Sequence, residues 1–264
     1  MNTVEITQGD GPVILGQPHG GTWLPDALTA RLNANGRALA DTDWHIGRLY
    51  DGLLPCATVV RSNVHRYAID ANRDPAGISL YPGRNTTALC PVTDFDGKPI
   101  WTEGQEPSAD EVLSRRAAFH APYHAALTDE IARVKARHGT AILYDCHSIR
   151  SEIPFLFEGL LPLFSIGTND GATCAPGIAG AAATACAGQS HVLDGRFKGG
   201  WTTRHYGQPE TGTHAIQMEL AQRAYLAAET APWAYDPARA EPTRATLRTI
   251  LETLDRLARS GALT

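Results

Sequence analysis

Thr140-Ala141-Ile142-Leu143-Tyr144, which runs on into Asp145-Cys146-His147-Ser148, is the stretch whose reading decides the fold. A short apolar run without polar alternation is the pattern of a strand buried on both faces. Immediately before it, Ser108 to His138 reads as a helix. Leu113, Phe119, Tyr123, Leu127, Ile131 and Val134 recur at helical spacings. Ser108 followed by Glu111 is a capping-box start, and Pro122 should kink or split the helix. Moving outward, three more buried runs follow the same pattern: Pro12 to Gly16 (PVILG), Ala57 to Arg61 (ATVVR) and Ala215 to Leu220 (AIQMEL). Helical stretches lie between and after them. Asp41 to Leu54 has Asp41 as its N-cap, Gly177 to Ala187 is Ala-rich, and Arg244 to Ala258 is amphipathic. Strands alternating with helices predict an α/β fold, with a mostly parallel or mixed central sheet flanked by helices. No linker and no fixed repeat divides the chain, so residues 1–264 read as a single domain.

The bulk numbers agree with a globular chain and exclude several classes. Of 264 residues, 43% are hydrophobic and 19% charged, with a net charge of −5. There is no basic run, so binding to nucleic-acid phosphates is not expected. Cys56, Cys90, Cys146, Cys174 and Cys186 are odd in number and never spaced CxxC. That excludes a zinc ribbon and a disulfide framework, and points to a reducing, cytoplasmic setting. Met1 to Asp10 lacks the charged and apolar regions of a signal peptide, and no run reaches the length of a membrane span. The GxSxG, GxxxxGK, GxGxxG and HExxH patterns are absent, which weakens serine-hydrolase, nucleotide-dependent and thermolysin-type readings.

The polar groups collect at strand ends. PVILG runs into Gln17-Pro18-His19-Gly20-Gly21, and TAILYD runs into Cys146-His147-Ser148. In open α/β sheets, ligands bind outside the carboxyl ends of strands. One His there is commonly just hydrogen-bonded; two in matched positions make a plausible metal pair. Gly20 and Gly21 would let the chain turn tightly beside the first. A catalytic zinc keeps three protein ligands, so a third is sought in Asp41-Thr42-Asp43-Trp44-His45. Asp41 has a competing role as N-cap, which makes Asp43 the freer candidate, with Asp41 and His45 as alternatives. Glu219, a carboxylate inside an apolar run, is a candidate general base; it can also be an exposed residue at a strand-to-helix junction. Arg66, Arg73 and Arg204 are candidates for binding carboxylates, although each taken alone reads rather as a surface ion pair. Two long polar loops, Gly77 to Gly104 and Asp194 to Gly212, have the composition of functional loops.

Longer segments carry a resemblance. PHGG (Pro18 to Gly21), DTDWHIGRLYD (Asp41 to Asp51), HRYAIDANRDPAG (His65 to Gly77) and SLYPGRNTT (Ser79 to Thr87) are followed by LYDCHSIRSEIP (Leu143 to Pro154) and GTNDGATC (Gly167 to Cys174). GRFKGGWTTRHYGQP (Gly195 to Pro209) and HAIQMELAQRAY (His214 to Tyr225) complete the set. With them the chain resembles the N-formylglutamate deformylase (N-formylglutamate amidohydrolase) family of histidine degradation. The resemblance implies a zinc-carboxypeptidase-like fold and hydrolysis of N-formyl-L-glutamate to formate and L-glutamate. It also implies one divalent metal, zinc by preference, held by His19, an acidic residue of the DTDWH segment and His147, with Glu219 as base. In such a reaction Arg204 is the candidate for the oxyanion, while Arg66, Arg73, Asn72 and His205 would hold the small-molecule substrate. The competing readings are a deacylase for another N-acyl amino acid and a non-catalytic binder of a dicarboxylic amino acid.

Overall fold

The computed structural model describes residues 2–80, 83 and 85–263. Tyr81, Pro82 and Arg84, in the SLYPGRNTT segment, lie outside the described residues. The strands are β1 (Val4–Thr7), β2 (Val13–Gln17), β3 (Thr58–Ser62), β4 (Ala141–Ile149), β5 (Phe164–Gly167), β6 (His191–Leu193) and β7 (Thr213–Ala221). They form one seven-stranded sheet in the order β1-β3-β2-β4-β7-β5-β6. The four buried runs of the sequence are its centre, β3-β2-β4-β7, all parallel. β1 pairs antiparallel to β3, β5 antiparallel to β7, and β6 parallel to β5, so the sheet is mixed. Little in the sequence marks those three. β1 is largely exposed, β6 has three residues, and β5 has only the four residues FSIG.

β4 is longer than the apolar run predicts. All nine residues, Ala141 to Ile149, are buried and paired with β7, although the apolar run stops at Tyr144. His147 therefore lies inside the strand rather than beyond its end. Side chains alternate across the sheet. Ile142, Tyr144 and Cys146 pack on one face, in a cluster with Ile178, Leu247, Ile250 and Leu251. Ala141 and Leu143 pack on the other with Tyr123, Leu127 and Val134. By the same alternation Asp145 and His147 continue the second face, as Gln217 and Glu219 continue it from Ala215 on β7. One face is thus apolar at its lower end and polar at its upper end.

The helices are α1 (Asp26–Thr29), α2 (Ala34–Arg37), α3 (Ile46–Tyr50), α4 (Ala109–Arg115), α5 (Ala121–His138), α6 (Pro176–Ala185), α7 (Trp201–Tyr206) and α8 (Pro237–Arg259). α5 covers one face of the sheet; α6 and α8 cover the other. Among the described residues no helix is long and apolar enough to cross a membrane. The helix expected from Asp41 shrinks to α3, and its N-cap position is His45 at φ 58°. Asp41 is no cap: its Oδ2 accepts from the Tyr67 hydroxyl and the Phe95 N–H, both at 2.9 Å, and these distant partners hold the chain out of a helix. Ser108 does cap α4, accepting from the Glu111 N–H at 3.3 Å. The split expected at Pro122 takes the form of a π turn, Arg116–His120, just ahead of α5. A wide turn accommodates the ring and the missing N–H of a proline near the start of the next segment.

Glu111 does not close a capping box; its carboxylate is shared between Arg31 and Arg115. Burial works against its charge, but these hydrogen bonds outweigh it and lower the pKa from 4.5 to about 2. A folded-state pKa below the unfolded value gives stability that is present above about pH 4.5 and lost as pH falls towards about 2. Glu111→Gln is accordingly expected to lower the melting temperature at pH 7, with the difference from the parent shrinking across that window. A difference that stays constant down to pH 2 in thermal melts would contradict the linkage.

Candidate active site

Three elements deliver three side chains to one buried point. His19 follows β2, where Gly21 passes so close to β3's exit that a Cβ would sit 2.3 Å from the Asn63 carbonyl carbon. Only glycine allows that approach, and it fixes where the His19 segment turns. Asp43 sits in the loop before α3, its N–H donating to the His19 carbonyl at 3.1 Å. His147 stands on β4. His19 Nδ1 lies 3.2 Å from His147 Nδ1, and Asp43 Oδ2 lies 3.4 Å from His147 Nδ1 and 3.9 Å from His19 Nδ1. All three donor atoms fall within 4.8 Å of one another.

The outer nitrogen of each ring faces a buried carboxylate. His19 Nε2 is 2.7 Å from Asp70 Oδ1, an aligned hydrogen bond. His147 Nε2 is 3.1 Å from Asp145 Oδ1, a charge contact without hydrogen-bond alignment, and 3.1 Å from Asn72 Nδ2. Asp70 is held in turn by Arg66 Nη2 at 2.7 Å and the Asn72 N–H at 2.9 Å. The carboxylate on His19 Nε2 draws that ring's proton outward and leaves its Nδ1 lone pair facing Asp43, whereas at His147 the Asn72 amide nitrogen, which only donates, is directed at Nε2. Two imidazole nitrogens and one carboxylate oxygen converging on one point form a donor set suited to zinc.

Electrostatics are uneven across this cluster. Burial lowers the His19 pKa, helped by Arg66 and opposed by Asp70. Burial also disfavours a charged His147, but Asp145, Asp43 and Glu219 outweigh it and raise that pKa. Glu219 lies directly across from His147 in the β4–β7 register and faces the same cleft. Burial raises its pKa to about 8, against the pull of His147 and Arg66. Gln217 Nε2 steadies it, donating to Oε2 at 3.3 Å.

Around the donor set, Arg66, Asn72, Arg73 and Arg196 line the cleft. Arg66 is buried, 3.6 Å from Asp43 and stacked 4.7 Å over Phe95, and its Nε has no hydrogen-bond partner among the described residues. Arg73 is half-buried and donates from Nε and Nη2 to Thr87 at 3.0 and 3.1 Å. Arg204 lies apart, bordering the adjoining cavity with Arg196 and Lys198. His205 stacks on Trp201 at 4.2 Å and does not line the cleft. Asp41 and His45 stay outside the donor set; His45 Nε2 bonds the Trp233 carbonyl at 2.8 Å. Asp70, Asp145, Gln217 and Arg196 carry no assignment from the sequence. For Asp145 and Gln217 a signal existed, because each precedes a candidate by two residues on a strand and so shares its face.

Residues 11–226 match the family model described as N-formylglutamate amidohydrolase. A relative from Pseudomonas aeruginosa named N-formylglutamate deformylase is 49% identical over 255 residues, covering 95% of each chain. One of the same name from Pseudomonas putida is 45% identical, covering 94% of this chain and 93% of its own. Among solved structures, an N-formylglutamate amidohydrolase from Ralstonia eutropha JMP134 superposes with a TM-score of 0.79 at 23% identity, covering 97% of this chain and 99% of that one. A gene product from Agrobacterium tumefaciens gives 0.74 at 18% identity, covering 97% and 96%. These two likenesses carry the fold; the sequence matches carry the family, and the chain belongs to the N-formylglutamate amidohydrolases.

Proposed function

We propose that this chain hydrolyses N-formyl-L-glutamate to formate and L-glutamate, that the reaction depends on one divalent metal, zinc by preference, and that it serves histidine degradation in the cytoplasm. The observation that carries the reading is a buried His19–Asp43–His147 donor set with a second buried carboxylate, Glu219, opposite His147. A divalent ion held by those donors would polarise the formyl oxygen and acidify water. Glu219 takes a proton from the water that adds to the formyl carbon, and returns it to nitrogen as the C–N bond breaks. Its raised proton affinity suits both steps. Arg66 stands nearest the donor set of the candidate arginines, and its Nε, without a hydrogen-bond partner among the described residues, supports assigning the oxyanion to it rather than to Arg204. Arg73 and Arg196, both on the cleft wall, are assigned to the two carboxylates of the substrate.

Kinetics on N-formyl-, N-acetyl- and N-succinyl-L-glutamate test the reading by acid release. The formyl compound should dominate kcat/KM; an equal or higher value for another acyl group would replace deformylase with a broader deacylase. In the same assay Arg73→Lys and Arg196→Lys should each raise KM by about tenfold, since a lysine cannot form the bidentate fork. Unchanged KM in both would remove them from carboxylate binding.

A further inference from the structure

The loop that runs from His65 to Asp74 supplies Asp70 to His19, Asn72 to His147 and Arg73 to the cleft, yet it has no regular structure. Its carbonyls need partners if the loop is to stay fixed, because a buried backbone acceptor is costly when unpaired. Three of them are met by side chains from the α4–α5 segment. Arg115 at the end of α4 donates to the Ala68 carbonyl at 2.9 Å. His124 Nε2 lies 2.8 Å from the Ala71 carbonyl, and His120 Nε2 lies 3.0 Å from the Arg73 carbonyl. A carbonyl only accepts, so both imidazoles carry their proton on Nε2. The second nitrogen of His124 faces the Tyr206 hydroxyl at 3.1 Å. The two rings lie 4.3 Å apart, and Trp201 packs edge-on against His124 at 4.7 Å, which locks their orientation.

The π turn at Arg116–His120 belongs to this arrangement. One extra residue in the helical ladder shifts the following face by about 100°. Arg115 just before the turn, His120 at its end and His124 after it all reach the same loop. Burial lowers the His120 pKa, and lowers that of His124 to about 3, so both rings stay neutral donors near neutral pH.

We infer that His120 and His124 are positioning residues, which hold the carbonyls on either side of Asn72 and thereby set Asn72 and Arg73 in the cleft. The inference takes its substrate from the deformylase reading; the positioning itself does not depend on it. Phe at either position keeps a ring and removes the donor, whereas Gln keeps an N–H near the Nε2 site. His120→Phe and His124→Phe are expected to raise KM for N-formyl-L-glutamate about five- to tenfold, the scale of one hydrogen bond, with kcat within about threefold. The matching Gln variants should recover most of the loss. A second readout needs no activity. The Thr202 N–H donates to Asn72 Oδ1 at 2.8 Å, so its hydrogen exchange should quicken in the Phe variants and not in the Gln variants. Should the Phe variants fail to fold, Tyr206→Phe removes only the hydroxyl facing His124 and should raise KM about two- to threefold with faster Thr202 exchange. Folded variants with parental KM and parental Thr202 exchange overturn the inference, as do Gln variants impaired as much as Phe. A parent chain that releases no formate overturns the deformylase reading instead, and Thr202 exchange then decides the positioning alone.

Discussion

Glu219→Gln is expected to fold, to take up metal and substrate as the parent does, and to turn over about 10²–10⁴-fold more slowly, the usual worth of a general base. The amide keeps the shape of the side chain, and its oxygen can still accept the Gln217 donor. What it cannot do is take a proton. Stability should not suffer. Burial raises the Glu219 pKa to about 8, so its ionised form is disfavoured by the fold. A raised carboxylate pKa means that ionisation costs stability as pH rises above the ordinary carboxylate range, and a neutral amide escapes that cost. The measurement is single-turnover formate release beside metal content and melting temperature. A variant that is folded, metal-loaded and within a few-fold of parental turnover would leave Glu219 a structural carboxylate and return the base role to another group. Loss of metal together with rate would show instead that Glu219 supports the donor set, since it faces His147 across the two strands.

The sheet's centre was legible because burial on both faces leaves an uninterrupted apolar run, and PVILG, ATVVR, TAILY and AIQMEL all became parallel neighbours. The extension of β4 through Asp145 to Ile149 was not, since polar residues read as a loop until their partners are known. Each of those partners comes from far away in sequence: Asn72 and Asp43 to His147, and Thr203 to Asp145 at 3.1 Å. Asp41 shows the same limit from the other side. Its helix-capping pattern is sound local chemistry, yet Tyr67 and Phe95 claim its carboxylate. His19 and His147 stood out by their placement after apolar runs and Asp43 only as the freer carboxylate of its segment, whereas Asp70 sits in an irregular loop with no period to betray it. The cationic side chains illustrate why motif proximity is a weak guide. Arg204 and His205 lie in a segment rich in matching residues but do not line the cleft, whereas Arg196, earlier in the same segment, does.

Removal of the metal should abolish turnover, and the donor set predicts how each residue shares in holding it. Chelation followed by gel filtration is expected to reduce formate release to background, with zinc restoring it. Asp43→Ala leaves two neutral imidazoles and no anionic donor, so metal content should fall below detection in the purified protein. Asp41→Ala makes an informative contrast. Asp41 Oδ2 accepts two hydrogen bonds within the fold while Oδ1 lies 3.8 Å from Arg150, and burial raises the pKa to about 6 despite Arg66 and Tyr67. Its loss leaves the Phe95 N–H and the Tyr67 hydroxyl without their acceptor, which costs stability, not metal. Asp70→Asn falls between. The amide can keep a contact to His19 Nε2 but no longer supplies charge, and a carboxylate behind a metal-bound imidazole is typically worth about 10–100-fold in metal affinity. Zinc titration of the three variants therefore separates them: lost for Asp43, weakened for Asp70, unchanged for Asp41. Full metal in Asp43→Ala with none in Asp41→Ala would move the third donor to Asp41. Undiminished turnover after complete chelation would remove the metal from the reaction, and leave the His19–His147 pair without the role that its geometry supports.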